Sequence, residues 1–182
     1  MMQTEAKREE AFSRLYSESF DYVYAFVLAR TAGDGRLTEE IVQEAFTAAW
    51  LSFDRFQRTS SFQTWACSIA RNKLRESYRK AIRREKREFV FKEEPADLAD
   101  GSNLEETVLS RETRSAVLRA LSELSPSYRY ALILKYVDGL SVKEVARVIG
   151  RSPKAVDGVL QRAKAAFETV YKQTEGCENK YE

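Results

Sequence analysis

The chain has 182 residues, 43% of them hydrophobic and 32% charged, and its formal net charge is only +2. This length suits one globular domain or two small ones. Histidine is absent, and Cys67 and Cys177 lie far apart without the spacing of a cysteine zinc site, so the commonest general base and metal ligand are missing. The composition therefore disfavours an enzyme, and we expect neither a metal site nor a cofactor.

The sequence also bears on location. No apolar run is long enough to span a bilayer, and the polar start MMQTEAKREE lacks the apolar core of a signal peptide. We therefore expect a cytoplasmic protein with no membrane insertion, in which the two cysteines are ordinary thiols.

Apolar residues recur with helical periodicity in every well-patterned segment, and strand patterns are nearly absent. The sequence therefore predicts an all-α protein. A first amphipathic helix is predicted to end near Gly33, where the sequence GDG breaks the pattern. Thr38 is the predicted N-cap of a second helix, with Glu39 and Glu40 in the first turn, where the helix dipole favours negative charge.

An aromatic-rich polar loop then leads into a third helix, predicted from about Ser61, that is rich in Arg and Lys. Between residues 71 and 88, nine basic residues oppose three acidic ones. Because aromatic rings stack on unpaired bases and cations bind the neighbouring phosphates, residues 53–79 indicate a site for melted DNA or flipped bases. The apolar stripe of this helix favours a core position for Phe62, Trp65 and Ile69.

The sign of the charge reverses after this helix, where residues 89–112 contain seven acidic and two basic residues. Such a segment buries too little apolar surface to offset chain entropy. We therefore predict two small helical domains joined by a flexible acidic linker. The predicted divisions are an N-terminal domain of residues 5–88, a linker of residues 89–108, a C-terminal domain of residues 109–173 and a tail of residues 174–182.

Local helix signals are strong in the C-terminal domain. An S-x-x-E capping box begins at Ser141, and Gly150 suits a left-handed turn at the end of that helix. Ser152-Pro153 places a cap before a proline at the first position of the next helix, which is predicted to run to about Lys172. Two helices joined in this way form a helix-turn-helix, whose second helix enters the major groove of DNA.

The charge of this motif favours DNA over a purely structural helix pair. Six basic residues face two acidic ones between residues 147 and 172, which suits phosphate contacts. On the second helix, Arg162 suits guanine and Gln161 suits adenine. Asp157 has two interpretations: it accepts a hydrogen bond from cytosine, or it stabilises the N-terminus of its own helix.

With these residues in place, the chain resembles the extracytoplasmic-function (ECF) sigma factors, the short two-domain specificity subunits of bacterial RNA polymerase. Three segments carry the resemblance in the family's order. LTEEIVQEAFTAAW looks like the core-binding helix, and SSFQTWACSIARNKLRESYRK looks like the promoter-melting helix. The DNA-binding domain is matched by LSELSPSYRYALILKYVDGLSVKEVARVIGRSPKAVDGVLQRAKAAF.

The resemblance implies a protein that binds core RNA polymerase, directs it to specific promoters and promotes DNA melting for transcription initiation, as in stress responses. Its implied partners are core RNA polymerase, promoter DNA in duplex and melted form, and an anti-sigma factor. The implied mechanism is non-covalent and needs no catalytic residue. Stacking and hydrogen bonds in a base pocket recover the cost of unstacking a base, which is a few kcal/mol.

The resemblance also assigns residues of the N-terminal domain. Core-polymerase binding falls on Glu40, Gln43 and Glu44, and the family usually has Asp where Glu40 stands. In the minus-ten region Phe56 would contact an everted nucleotide and Asn72 a base. The implied minus-ten set is Phe56, Arg58, Ser60, Ser61, Arg71, Asn72, Lys73, Arg75 and Arg79.

In the C-terminal domain, the resemblance places the reading of the minus-thirty-five element on the helix-turn-helix. Many relatives carry a basic residue and a serine where this chain has Asp157 and Gly158, so their usual element preference does not transfer. The implied minus-thirty-five set is Arg151, Ser152, Lys154, Asp157, Gly158, Gln161 and Arg162.

Two alternatives to a sigma factor stay open. A stand-alone transcription regulator would bind promoter duplex without polymerase through the helix-turn-helix, but it gives no reason for aromatic residues beside a basic helix. A helical interaction protein unrelated to DNA would show no salt-dependent DNA binding, even with core polymerase present. An enzyme ranks last.

Overall fold

The computed structural model describes residues 2–57, 59–88 and 111–178. These residues form helices and no strand, which confirms the all-α prediction. A short 3-10 turn, Phe53–Arg55, lies between the second and third helices. The predicted linker lies outside the described residues. The helices are α1 (Met2–Leu28), α2 (Gly35–Leu51), α3 (Phe62–Glu88), α4 (Arg111–Glu123), α5 (Pro126–Leu132), α6 (Val142–Ile149) and α7 (Pro153–Glu178).

The chain divides into two compact units, Met1–Glu76 and Ser77–Glu182. The division falls within α3, before the domain boundary predicted at residue 88. The last turns of α3 pack within the second unit, where Tyr78 stacks on Tyr130 with ring centroids 4.1 Å apart. Glu85 accepts hydrogen bonds from the backbone N–H and the hydroxyl of Ser127, at 2.8 and 2.5 Å. Glu85 thus stabilises the start of α5, where Ser125 makes no side-chain cap bond.

In the first unit, α1 and α2 pack on the N-terminal half of α3 through an apolar core. Small residues form part of this core, with Ala45, Ala49, Ala66 and Ala70 fully buried. Larger aliphatic residues fill the remaining space. The buried ones include Val23, Val27, Ile41, Val42 and Leu74.

The connection between α1 and α2 differs from the sequence prediction. Helix α1 ends at Leu28, and the N–H of Gly33 returns to the Leu28 carbonyl at 3.1 Å to close the turn. The N-cap of α2 is Asp34, whose carboxylate accepts from the Leu37 N–H at 2.9 Å. The prediction of Thr38 as the cap was wrong.

Thr38 is instead a buried residue in the first turn of α2. Its hydroxyl lies 2.7 Å from the hydroxyl of Thr31 and donates to the Asp34 carbonyl at 2.6 Å. Both threonines therefore satisfy their polar atoms inside the core, which is the condition for burying them. Glu39 and Glu40 lie beyond the first turn of α2. The prediction that they stabilise the N-terminus of this helix was therefore wrong.

The second unit contains an unusually buried helix. Helix α5 continues into a π-helical segment, Ile133–Val137, in which the Asp138 N–H donates to the Ile133 carbonyl at 3.0 Å. The five consecutive residues 130–134 are all buried, with exposed fractions between 0% and 7%. A single face of an α-helix would bury only every third or fourth of them. This segment is therefore enclosed by its neighbours on all sides.

The helix-turn-helix caps are confirmed. The Ser141 hydroxyl accepts from the Glu144 N–H at 3.3 Å, and the Glu144 carboxylate accepts from the Ser141 N–H at 2.8 Å. Gly150 has φ 72° and ψ 42°, and its N–H closes on the Ala146 carbonyl at 2.9 Å. A left-handed residue at this position ends α6 and turns the chain into α7. Helix α7 runs to Glu178, beyond the end expected near Lys172.

Membrane-spanning helices and metal-binding clusters are both absent from the part of the chain that the structure describes. None of its helices is long and apolar enough to cross a membrane. Nor do its cysteine, aspartate and glutamate residues form any group of three or more that could hold a metal ion.

Candidate nucleic-acid and polymerase interface

The outer face of α2 carries the three residues assigned to polymerase. Glu40, Gln43 and Glu44 are all exposed, and their spacing of three and four residues places them on one face of the helix. The Glu44 carboxylate lies 3.4 Å from the ammonium of Lys73 on α3. The structure thus brings together one residue of the polymerase set and one of the minus-ten set.

Beside this face, α1 and α2 enclose an open groove with mostly aromatic walls. Tyr16 and Phe46 make an edge-to-face contact, with ring centroids 4.6 Å apart. Gln43 of the polymerase set also lines the groove. The other lining residues include Phe12, Phe20, Tyr24, Val42 and Trp50.

The loop before α3 is held by a cluster of aromatic rings. Phe62 is buried and packs edge-to-face with Phe12, Phe53 and Phe56, with centroids 5.6–6.1 Å apart. Phe56 also lies 5.0 Å from Trp65, with the ring planes 32° apart. Phe56 and Trp65 are both half-buried. Each ring therefore packs on its neighbours and still reaches the surface.

The polar residues of this loop lie at the start of α3. The Ser61 hydroxyl accepts from the Thr64 N–H at 3.1 Å and so caps the helix. Ser60 and Ser61 are exposed, whereas Arg58 lies outside the described residues. The predicted start of the third helix near Ser61 is thereby confirmed.

Further along α3, the minus-ten residues divide by exposure. Asn72 and Arg79 are exposed, and Arg71, Lys73 and Arg75 are half-buried. The Nε atoms of Arg71 and Arg75 are buried and have no hydrogen-bond partner among the residues that the structure describes. Two neighbouring turns of the helix thus each carry a guanidinium with an unused donor.

Sequence reasoning missed a basic residue near this site. The guanidinium of Arg30, just beyond the end of α1, lies 3.7 Å from the ring centroid of Phe26, and that of Arg71 lies 5.4 Å from the same centroid. Burial raises the pKa of the Cys67 thiol, and the positive charges of Arg30 and Arg71 oppose that rise. The three residues are distant in sequence, so only the fold brings them together.

In the second unit, the turn of the helix-turn-helix presents several of the predicted residues. Ser152, Lys154 and Asp157 are exposed and Arg151 is half-buried. The Ser152 hydroxyl accepts from the Ala155 N–H at 3.2 Å, so this serine caps α7. The start of α7 is therefore fixed by a polar cap, with charged side chains around it.

One turn later, Gly158 and Arg162 lie together. A Cβ atom at residue 158 would lie 3.9 Å from both terminal nitrogens of Arg162. The Arg162 side chain therefore extends back along the helix over the glycine, towards the N-terminus of α7. Gln161 is exposed. It lies with Asp157, Gly158 and Arg162 in the N-terminal half of α7.

Both helical units are similar to parts of known proteins. Residues 15–84 match the family model described as Sigma-70 region 2, and residues 114–167 match Sigma-70 region 4. The RNA polymerase sigma factor CnrH of Cupriavidus metallidurans is 33% identical over 140 residues, which cover 72% of each chain. The chain belongs to the ECF RNA polymerase sigma factors.

Two further sigma factors are similar to this chain. The ECF RNA polymerase sigma-E factor of Escherichia coli K12 is 30% identical over 166 residues, covering 88% of this chain and 86% of the relative. Among solved structures, the sigma factor RpoE of Bartonella quintana, in complex with the anti-sigma factor NepR, is 23% identical. That match covers 90% of this chain and 98% of the other, with a TM-score of 0.46.

Membership in this family establishes the general activity. The sigma factor directs RNA polymerase to specific promoters for transcription initiation and takes part in melting the promoter DNA. Its region 2 match contains the exposed face of α2 and the aromatic and basic surface of α3. Its region 4 match contains the helix-turn-helix.

Proposed function

We propose that this sigma factor divides promoter recognition among three surfaces. The face of α2 binds core RNA polymerase, the loop before α3 and the face of α3 hold the minus-ten element, and the N-terminal half of α7 reads the minus-thirty-five element. The main observation in support of this proposal is that half-buried Phe56 and Trp65 pack together where α3 begins, while cations occupy the turns that follow. A stacking surface followed by cations suits a melted strand.

The polymerase-binding face consists of Glu40, Gln43 and Glu44. Their exposure leaves the side chains accessible to a partner, and two carboxylates in this set favour a basic partner surface. The ion pair between Glu44 and Lys73 is partly solvent-exposed and is therefore weak. A polymerase side chain can replace it at low cost.

At the minus-ten element, the exposed side of Phe56 would stack on an everted base, and Asn72 would hydrogen-bond a base edge. The hydroxyl of Ser60 and the side chain of Arg58 would contact the strand beside it. Ser61 also caps α3, so its role is to fix the start of the helix as well as to face the DNA. The phosphate contacts of this surface fall to Arg71, Lys73, Arg75 and Arg79.

At the minus-thirty-five element, α7 would enter the major groove from its capped N-terminus. Arg151, Ser152 and Lys154 lie at the turn, where phosphate contacts set the register of the helix. Arg162 would read guanine and Gln161 adenine. Because Gly158 has no side chain, Arg162 can lie across it, and base recognition shifts towards Arg162 and away from residue 158.

We further propose an anti-sigma factor as a regulatory partner. Solved structures similar in part to this chain are titled as complexes of sigma factors with NepR, RsbN and the cytosolic domain of CnrY. The sigma factor itself would act in the cytoplasm, beside polymerase, and would carry no catalytic activity. The predicted domains of residues 5–88 and 109–173 would then be the units that such a partner contacts.

Reconstitution with core polymerase tests this division of labour. We expect the double variant Gln43→Ala with Glu44→Ala to weaken core binding, with Arg36→Ala, an exposed change at the start of the same helix, as its control. Phe56→Ala and Asn72→Ala should impair melting of promoter DNA while core affinity stays near the wild-type value. Competition with the wild-type protein for core polymerase under native conditions measures core binding. Permanganate modification of unpaired thymines measures the melting of promoter DNA.

Two results would contradict this proposal. Equal losses of core binding and melting in all variants would show that α2 and α3 do not have separate roles. Specific binding of promoter duplex by the protein alone, with no gain from polymerase, would favour the stand-alone regulator instead.

A further inference from the structure

Arg8 of α1 contacts two elements that follow one another along the chain, the end of α2 and the 3-10 turn Phe53–Arg55. Its Nε atom donates to the Asp54 carboxylate at 3.1 Å, and one terminal nitrogen donates to the Trp50 carbonyl at 2.7 Å. The guanidinium also lies 4.0 Å from the centroid of the Trp50 ring. One side chain of α1 thus bonds to both sides of the connection between α2 and the turn.

The bond to the Trp50 carbonyl stabilises the end of α2. The last four carbonyl groups of a helix lack an N–H partner within the helix, and a nearby cation stabilises them. Residues 48–51, the last turn of α2, include no basic side chain, so Arg8 supplies this charge from another helix. This bond is part-buried, whereas the pair with Asp54, whose side chain is 77% exposed, is weak by itself. A planar guanidinium makes the second bond at little further entropic cost once the first has formed.

The turn that Arg8 holds leads directly to Phe56. The Phe56 N–H donates to the Phe53 carbonyl at 3.0 Å, and the two rings stack with their centroids 6.4 Å apart. Phe12, one helical turn after Arg8, packs edge-to-face on the rings of Trp50 and Phe53, with centroids 5.1 and 5.2 Å apart. Phe12 therefore packs on the rings of this connection, while Arg8 binds its polar groups.

We propose that Arg8 is a positioning residue for promoter melting, which fixes the turn before α3 so that Phe56 is in place when an everted base arrives. Arg8 itself contacts no base. A turn that is ordered in advance costs no entropy when the strand binds, whereas without Arg8 the turn has to be ordered during binding. This inference rests on the proposed contact between Phe56 and the base, and deepens it by naming the residue that holds Phe56 in position.

Melting by the reconstituted holoenzyme tests this role. The full chain is bound to core polymerase, and permanganate modification of unpaired thymines measures open complexes at a promoter that the holoenzyme transcribes. We expect Arg8→Ala to lower the ratio of open to closed complexes by about two- to tenfold, a factor of the size that one hydrogen bond contributes. The affinity for core polymerase should stay at the wild-type value.

A double variant separates positioning from stability. If Arg8 acts through Phe56, Arg8→Ala should have little further effect on melting once Phe56→Ala is present. A residue that only stabilises the fold would lower melting by the same factor in both backgrounds. The comparison therefore reports on the coupling between the two side chains rather than on the stability of the protein.

Two single variants serve as controls. Arg14→Ala removes an exposed arginine from the same helix, one whose guanidinium lies 3.8 Å from Glu18, and should leave melting unchanged. Arg8→Lys keeps the charge but loses the planar fork that reaches both Asp54 and Trp50. It should therefore show most of the loss of melting that Arg8→Ala shows.

Several results would overturn the inference. Normal melting in Arg8→Ala, or equal losses from Arg8→Ala with and without Phe56→Ala, would show that Arg8 does not position Phe56. Full melting by Arg8→Lys, together with a weaker salt dependence of DNA binding in Arg8→Ala, would assign Arg8 to a phosphate contact instead. Failure of the proposed function is distinguishable, because normal melting in Phe56→Ala would reject the base contact and this inference with it. Impaired melting in Phe56→Ala with normal melting in Arg8→Ala would reject the inference alone.

Discussion

The two helices that carry the DNA-contacting residues begin in different ways. Helix α7 starts from polar caps and a left-handed glycine, all within twelve residues of sequence from Ser141 to Ser152. Helix α3 starts at a cluster of rings that joins Phe12 of α1 to Phe53, Phe56 and Phe62. The first start is specified locally, whereas the second combines the local cap of Ser61 with packing between helices that are distant in sequence.

The difference suits the two kinds of DNA. A helix that enters the groove of a duplex needs a fixed axis, and caps provide one through short polar side chains. A surface that holds unpaired bases needs exposed aromatic faces, and half-buried Phe56 and Trp65 provide them at the edge of the cluster. At α3 the same rings thus serve stability and the proposed base contact, whereas at α7 the capping box and the glycine turn serve stability, and Ser152 both caps the helix and faces the proposed DNA surface.

The largest effect that we expect comes from removing the centre of the aromatic cluster. Phe62 is 5% exposed, so Phe62→Ala should lower the free energy of unfolding by about 3–5 kcal/mol. Leu51→Ala is the control, because Leu51 is 76% exposed and its loss should cost less than about 0.5 kcal/mol. Urea denaturation followed by tryptophan fluorescence measures both. Similar values for the two variants would show that the cluster does not hold the start of α3.

A second prediction concerns the turn of the helix-turn-helix. Gly150 has φ 72°, so Gly150→Ala should cost about 1–2 kcal/mol from backbone strain alone, since no atom lies within 4 Å of the added methyl group. Gly158→Ala is the matched control, because that glycine lies inside α7 without a positive φ. It should stabilise the helix by about 0.5–1 kcal/mol. The melting temperatures of the two variants should therefore shift in opposite directions from that of the wild type. Shifts of the same sign would show that the positive φ of Gly150 does not determine the stability of this turn.

A third prediction compares caps at the two sites. Ser141→Ala removes the capping box of α6 and should cost about 1 kcal/mol. Ser61→Ala removes the corresponding hydrogen bond at α3 and should cost less than Ser141→Ala, because the rings hold that end of the helix independently. Denaturant titration of the two variants gives the order. A larger loss of stability in Ser61→Ala than in Ser141→Ala would show that the rings do not hold the start of α3 independently of its cap.

The smallest effect follows from the raised pKa of Cys67. The native state keeps this thiol protonated at pH values where the unfolded chain loses the proton, so stability should fall as the pH rises above the ordinary thiol pKa. Below that value the effect is absent. Cys67→Ala should flatten the alkaline part of the stability profile relative to the wild type. Parallel profiles for the two proteins would exclude the thiol as the cause.

These contrasts explain how much the sequence alone could predict. Caps act within three residues, so the capping box at Ser141, the turn at Gly150 and the start of α7 at Pro153 were all predictable. The cap of α2 was misassigned because Thr38 has the right side chain, and only the fold shows that it is buried against Thr31. Arg30 was missed for the same reason, since its relation to Arg71 exists only after α1 and α3 pack.

The enclosed segment of residues 130–134 has a consequence for how the protein tolerates sequence change. A helix that packs on one side accepts polar substitutions at intervals of three or four residues. In a mutational scan, tolerance to substitution therefore varies with the same period. Five adjacent buried positions leave no such interval. A complete scan of the C-terminal unit should therefore show one unbroken block of intolerance immediately before the DNA-reading motif, at residues that never contact DNA.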